Sequence, residues 1–210
     1  RESILEIQYL SGVDNVNAQH QNQYTPFLWS FHLPGSSETF RGGGKNTPSK
    51  DLISEYEEND PRKEISIIFG YQDEGANIWV DHPYTNKFYD PNWQNPGQNF
   101  EIIRYADILL LYSEVTGDAS YLNQVRARVG LSPFGSDLYP KNYNTLALAV
   151  EHERRVELAF EFHRFFDLVR NGRALEVFNG KGFNLSENDI QFPIPLVEID
   201  INPALNQNPG

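Results

Sequence analysis

Cysteine and methionine are both absent from the chain. With no cysteine there is no disulfide, no thiolate nucleophile and no Cys-ligated zinc. That absence does not set a compartment, because 210 residues bury a core large enough to fold without covalent staples. The missing methionine, and a first residue Arg1 that is neither an initiator nor the start of a leader, lead to the expectation of a fragment or of omitted residues. Long apolar runs are lacking as well: nothing approaches the ~20 residues that span a bilayer. Basic residues are scarce, 17 against 29 acidic ones, and the formal charge of −12 repels phosphate backbones, so nucleic acid is not an expected partner. The chain is nevertheless built to fold. It is 39% hydrophobic and 13% aromatic, with 11 Tyr, 14 Phe and 3 Trp.

Signature motifs of catalysis are missing too: there is no GxGxxG, no Walker-type phosphate loop, no GxSxG and no HExxH. Gly42-Gly43-Gly44-Lys45-Asn46-Thr47 comes nearest to a phosphate loop, but Pro48 follows it in place of a helix start, so it reads as flexible loop. The histidines at 20, 32, 82, 152 and 163 are scattered and form no zinc-ligand spacing. Asp14-Asn15-Val16-Asn17 begins like a calcium loop but lacks its glycine and terminal glutamate. No cofactor is therefore expected, a surface calcium ion on these Asn and Asp oxygens being the one case left open.

Residues 1–10 alternate loosely and read as a strand with Ile4, Ile7 and Tyr9 inward. Residues 11–50 keep no period and read as a long irregular region. Ser49 or Asp51 caps a short helix carrying Leu52, Ile53 and Tyr56, stopped before Pro61. EISIIFG, residues 64–70, is the best strand signal in the chain. Residues 71–99 are again irregular, and from Phe100 the pattern turns helical. A first helix runs to Gly117, with Ile102, Ala106, Leu109 and Leu110 on its apolar face, widened by Tyr105, Ile108 and Tyr112. A second closes at Gly130, and a third runs from Thr145 to Phe162 with the stripe Leu146, Val150, Leu158 and Phe162 and charges paired three and four apart. A last helix breaks near Gly172, and the four prolines of the tail imply extended chain wrapped against the body. The organisation is two sections of one continuous fold: 1–99, loop-rich with minor β-structure and part of a binding face, and 100–210, a helical scaffold with an extended tail. The fold class is mostly α.

Two groups of side chains stand out. Carboxylates at helical spacing, Asp107 with Glu114 and Glu153 with Glu157 and Glu161, could serve acid–base chemistry, but the same pattern arises from ion pairs that hold helices together. Aromatics crowd the irregular segments: Tyr24, Phe27, Trp29 and Phe31, then Trp79, Tyr84, Tyr89 and Trp93. A pyranose offers a C–H face ringed by hydroxyls, so its site needs flat rings flanked by amides and carboxylates. Asn77, Asp81, Asn86, Asp90, Asn92 and Gln94 supply that flank. Trp29, Trp79, Tyr84 and Trp93 are the candidate ligand-binding residues, with packing of loops onto the core as the competing explanation for each.

The helical section also carries a resemblance. Arg104-Tyr105-Ala106-Asp107-Ile108-Leu109-Leu110 is followed by Tyr112-Ser113-Glu114, then by Leu122-Asn123-Gln124-Val125-Arg126-Ala127-Arg128-Val129-Gly130-Leu131. After these come Glu153-Arg154-Arg155-Val156-Glu157-Leu158-Ala159-Phe160-Glu161, His163-Arg164-Phe165-Phe166-Asp167-Leu168-Val169-Arg170, Phe192-Pro193-Ile194-Pro195 and the ending Asn206-Gln207-Asn208-Pro209-Gly210. With Asp60-Pro61-Arg62 upstream, this series resembles the C-terminal half of the SusD/RagB family of nutrient-binding outer-membrane lipoproteins.

The resemblance implies tetratricopeptide-like helix pairs that scaffold an aromatic-bearing face. It implies a lipid-anchored protein of the bacterial outer-membrane surface that captures an oligosaccharide or polysaccharide, sometimes a peptide. The cargo would pass to a TonB-dependent transporter without chemical change. Family members are about twice this length, and their N-terminal portion carries the lipid anchor, the sole expected membrane contact, which this chain lacks. Arg104, Asp107, Glu114, Arg126, Arg154 and Arg155 are then expected in structural ion pairs between helices. Two alternatives stay open: a glycoside hydrolase with a carboxylate pair roughly 5 to 10 Å apart, and a structural module that binds peptide or protein.

Overall fold

Residues 2–12, 16–18, 20–26, 42–73, 76–92 and 95–209 are described by the structure, a computed structural model. They form two compact units, residues 1–162 and residues 163–210. The architecture is mostly helical, with tetratricopeptide-like helix packing and a minor β component.

In the first unit the scaffold is three helices, α4 (Tyr105–Thr116), α5 (Ala119–Arg128) and α6 (Leu146–Glu157). Local signals set their ends. Gly117 closes α4 in the left-handed conformation at φ 69, where a side chain would be strained. Asp118 and Thr145 cap α5 and α6 by accepting from the backbone N–H of Ser120 and Leu148. Ala106, Leu109 and Leu110 of α4 pack with Leu122 and Val125 of α5 and with Ala149 and Val150 of α6. Each fully buried leucine contributes about 1.5–3 kcal/mol to this core. α6 ends at Glu157, short of Phe162: Phe160 and Phe162 adopt positive φ of 71 and 66, turning the chain out of the helix.

The helix expected from Phe100 begins only at Tyr105. Phe100–Arg104 is a strand, β6, paired antiparallel with β1 (Ser3–Ile7), so the first section is stitched to the helical one. Ile4 and Ile7, expected inward, are 57% and 46% exposed. Between these strands lie α1 (His20–Tyr24), α2 (Lys50–Glu55) and α3 (Pro61–Ser66). Ser49 caps α2 as expected. EISIIFG is a correction: Asp60 caps α3, with Pro61 at its first position, so the helix runs through Ser66 and leaves only Ile67–Ile68 as strand β2. Three further short strands follow, β3 (Tyr71–Asp73), β4 (Ile78–Val80) and β5 (Tyr84–Thr85), in the pairs β2–β5 and β3–β4. A second core joins Tyr24, Tyr56, Ile67 and Phe88 to Val156, Ala159 and Phe160.

The glycine run is not a free loop. Gly42, Gly43, Gly44 and Lys45 donate their N–H groups to the carbonyls of Pro26, Asn22, Thr25 and Gln23, and a methyl group at Gly43 would lie 2.7 Å from the Cα of Gln23. Backbone donors spent on α1 and its exit cannot cradle a phosphate.

The second unit holds α7 (Arg164–Arg170), α8 (Ala174–Asn179), a 3-10 turn (Glu187–Ile190) and α9 (Leu196–Ile201). Gly172, at φ 67, makes the expected break between α7 and α8. The tail is not wholly extended, since α9 begins directly after Pro195. Its two motifs clasp each other: Gln207 exchanges hydrogen bonds of 2.7 and 2.8 Å with the backbone of Ile194, and Asn208 donates to the Phe192 carbonyl.

Candidate functional site

Strands β3 and β4 form a hairpin in the register Tyr71↔Val80, Gln72↔Trp79 and Asp73↔Ile78. Alternation across a strand puts Tyr71 and Val80 on one face and Gln72 and Trp79 on the other. The first face is anchored, with Tyr71 and Tyr84 both buried and Ile68, Val80 and Tyr89 packed against them. On the second face Trp79 is 64% exposed. Its indole lies against the bare backbone of Gly70, where a methyl group would sit 2.5 Å from Cζ2. The side chain is therefore braced on one side and open to solvent, with the amide of Gln72 as its cross-strand neighbour. At the hairpin end Asn77 takes φ 53, and Asp73 Oδ1 accepts from the N–H of Ala76 at 3.0 Å. Asn77 and Asp81, two residues before and after Trp79 in the chain, are exposed.

The other sequence candidates are placed differently. Tyr84 is 2% exposed; it supports the hairpin from beneath and offers no ring to solvent. Its hydroxyl has no hydrogen-bond partner among the described residues, and burial pushes its pKa up to about 12. Trp29 and Trp93 lie outside the described residues, as do Asp14, Asn15 and Gln94. Of the expected polar flank, Asn86 donates to the Ile65 carbonyl, Asp90 accepts from Asn92 and Gly97, and Asn92 donates to Ser11. Those groups hold loops together.

The charged candidates build a buried network between elements. Glu153 and Glu157 on α6, and Glu161 beyond its end, take cations from other segments of the chain. Arg62 donates from Nη1 to Glu153 (2.6 Å) and Glu157 (2.7 Å), and from Nη2 to Asp60 (2.7 Å). Arg104 reaches Glu157 (2.6 Å), Glu161 (2.8 Å) and Glu2 (2.7 Å). Arg126, wholly buried, pairs with Glu153 and Glu57, and Lys87 pairs with Glu161. Arg154 meets Asp107 at 2.6 Å, and Arg155 meets Asp51 and Glu55. Glu114, on α4, is half-buried and has an interaction of its own. Burial alone would raise the pKa of Glu157, but Arg104, Arg62 and Arg128 overturn that and hold it at about 2. A general acid needs the opposite shift, so Glu157 suits structure and not proton transfer.

A cleft of about 540 Å³, lined among others by Glu55, Glu57, Asn59, Ser132, Tyr143 and His152, was not foreseen from the sequence. Tyr143 stacks on His152 with centroids 4.0 Å apart, and His152 Nδ1 and the Tyr143 hydroxyl both bond Glu55 at 2.8 Å. Glu55 also pairs with Arg155 and Glu57 with Arg126, while Glu58, on the same wall, is exposed. The only trace in the sequence was His152 inside a helical stripe of glutamates.

No group of three or more His, Asp or Glu side chains with metal-holding geometry occurs among the described residues. No described helix is long and apolar enough to cross a membrane.

The sequence profile of the SusD family matches residues 69–210. SusD-like protein P25 of Formosa agariphila is 29% identical over 192 residues, which cover 82% of this chain and 36% of that protein. Among solved structures, one described as a laminarin binding SusD-like protein superposes with a TM-score of 0.74 at 29% identity, covering 100% of this chain and 50% of that one. Surface glycan-binding protein A from Bacteroides fluxus gives a TM-score of 0.71 at 26% identity, again over 100% of this chain and 50% of that one. The chain thus spans half or less of each of these relatives. The ordered motifs, the three-helix scaffold with its buried arginine–glutamate network, and the profile match across both units agree: the chain belongs to the SusD family.

Proposed function

We propose that this chain is part of a surface protein that captures a glycan without cleaving it. The single observation that carries the reading is Trp79, an open indole braced on Gly70 beside the amide of Gln72. An exposed, preorganised ring stacks on the C–H face of a pyranose while neighbouring amides and carboxylates meet its hydroxyls. The naming of one similar structure as laminarin binding, and of another as a surface glycan-binding protein, supports a soluble β-glucan such as laminarin as the first ligand to test. A shallow platform of this kind gives micromolar to millimolar affinity, on the order of −4 to −8 kcal/mol. Family membership supports the rest of the reading: anchoring at the outer-membrane surface through a lipidated segment beyond these residues, and delivery of the bound glycan to a TonB-dependent transporter.

The test is calorimetric titration of the full-length protein with laminarin and other soluble glycans, alongside Trp79→Ala. Saturable binding that weakens at least tenfold in the variant, with an unchanged far-UV spectrum, supports the assignment. Binding untouched by the substitution removes Trp79 from the site.

A further inference from the structure

The face of the hairpin that carries Trp79 also carries a charge. His82 turns its ring edge-on to Tyr71, with centroids 6.4 Å apart. That contact keeps the alternation of the strand going for two residues past Val80, so Tyr71, Val80 and His82 share one side. Asp81, between Val80 and His82, falls on the other side with Trp79, roughly 7 Å from it along the chain. It is exposed. The pairing Tyr71↔Val80 brings Gly70 next in line opposite Asp81, and Gly70 is the residue whose bare backbone the indole covers. A glycan stacked on the open side of the indole thus has the Gln72 amide across the hairpin and the Asp81 carboxylate two residues along it. Residues 71–86 contain Asp73, Glu74 and Asp81 and no Lys or Arg. The lysines nearest in sequence are engaged elsewhere: Lys63 lies over the Phe69 ring, 6.0 Å from its centroid, and Lys87 pairs with Glu161.

A carboxylate beside a stacking ring has two consequences. It accepts hydrogen bonds from sugar hydroxyls, and bonds to an ionised acceptor are stronger than those to a neutral one. It also repels a ligand that bears carboxylate or sulfate: in water, two unit charges about 7 Å apart repel by enough to weaken binding about threefold. Specificity is set by what is repelled as much as by what is held. We propose that Asp81 sets the ligand class at Trp79: a glycan of neutral sugars is held, and one carrying uronate or sulfate groups is turned away. The role rests on Trp79 being a glycan platform.

The test is titration of the full-length protein and its Trp79→Ala and Asp81→Asn variants with laminarin and with the same glucan partly carboxymethylated. Salt separates charge from the bulk of the added groups, because charges act over roughly 30 Å at about 0.01 M salt and roughly 3 Å at about 1 M. The carboxymethylated glucan is expected to bind about threefold or more weaker than laminarin at low salt, with the gap closing at high salt. Asp81→Asn is expected to weaken laminarin binding about threefold and to narrow the low-salt gap. Where laminarin binding needs Trp79, equal binding of the two glucans, or a gap that salt or Asp81→Asn leaves unchanged, overturns the role of Asp81 and leaves the platform standing. Laminarin that does not bind, or binds Trp79→Ala as well as the parent, overturns the platform and the role of Asp81 with it.

Discussion

Gly70 and Trp79 act as one unit, and that pairing is the residue-level reason a tryptophan can stand open on a hairpin without collapsing onto the core. A side chain at Gly70 would displace the indole. Gly70→Ala is therefore expected to weaken glycan binding about threefold or more, while Trp79→Ala, which removes the ring, weakens it more; titration of both variants ranks them. Tyr84 tests the opposite assignment. Its buried hydroxyl has no partner among the described residues, so Tyr84→Phe is expected to leave binding unchanged and to stabilise the fold by up to about 1 kcal/mol in a denaturant titration. Composition brought Trp79 and Tyr84 forward together because both are aromatic residues in irregular chain. It could not separate them, since placement in the fold, with Trp79 on the open face of β4 and Tyr84 on β5 packed against Tyr71, and not residue type, decides which ring is exposed.

His152 gives a pH-dependent readout at the same scale. Burial would lower its pKa, but the hydrogen bond with Glu55 and the nearby Glu57 carboxylate outweigh that and raise it above 6.5. The stabilisation from its charged form is thus complete below about pH 6.5 and is lost as pH climbs through the raised value. Burial would raise the pKa of Glu57, yet His152 and Arg126 beside it hold it at about 2, against an ordinary 4.5. Its contribution is complete above pH 4.5 and is lost as pH falls toward 2. The expected outcome is a plateau of stability between these limits. The alkaline decline should shrink in His152→Phe, and thermal melts of both proteins from pH 5 to 9 check it.

At the scale of elements, charge and not apolar packing alone orders the chain. Arg62 lies on α3 and its anions Glu153 and Glu157 on α6, so one guanidinium fixes the two helices in register. Removing one partner of a buried ion pair leaves charges uncompensated. Arg62→Ala is expected to cost about 3–5 kcal/mol, measured by chemical denaturation, whereas Thr145→Ala, which removes only the cap of α6, costs about 1 kcal/mol.

What the sequence showed of these elements depended on how local their causes are. The cap at Ser49, the helix start near Thr145 and the break at Gly172 act within one turn and were legible. The strand Phe100–Arg104 was not, because its partner lies at Ser3–Ile7 and nothing near Ile102 announces it. EISIIFG misled for the reverse reason: the β-branched run is real, but Asp60 and Pro61 start a helix upstream that carries Ile65 to the surface at 64% exposure. The glutamates of α6 were legible as ion-pair formers, but not their partners, which come from residues up to 95 positions away.

At the scale of the whole molecule, most of the chain is scaffold. In the first unit the arginine–glutamate network and the helix layers accompany one hairpin that presents a ring to solvent. On the proposed reading, such a platform would take up a ligand weakly and release it, which suits handing cargo onward. The most direct measurement is titration of laminarin into the full-length protein and its Trp79→Ala variant, with the reaction mixture then assayed for newly formed reducing ends. The account predicts saturable micromolar-to-millimolar binding, a loss of at least tenfold in the variant, and no new reducing ends. Binding that survives the substitution, or release of shortened glucan, would contradict it.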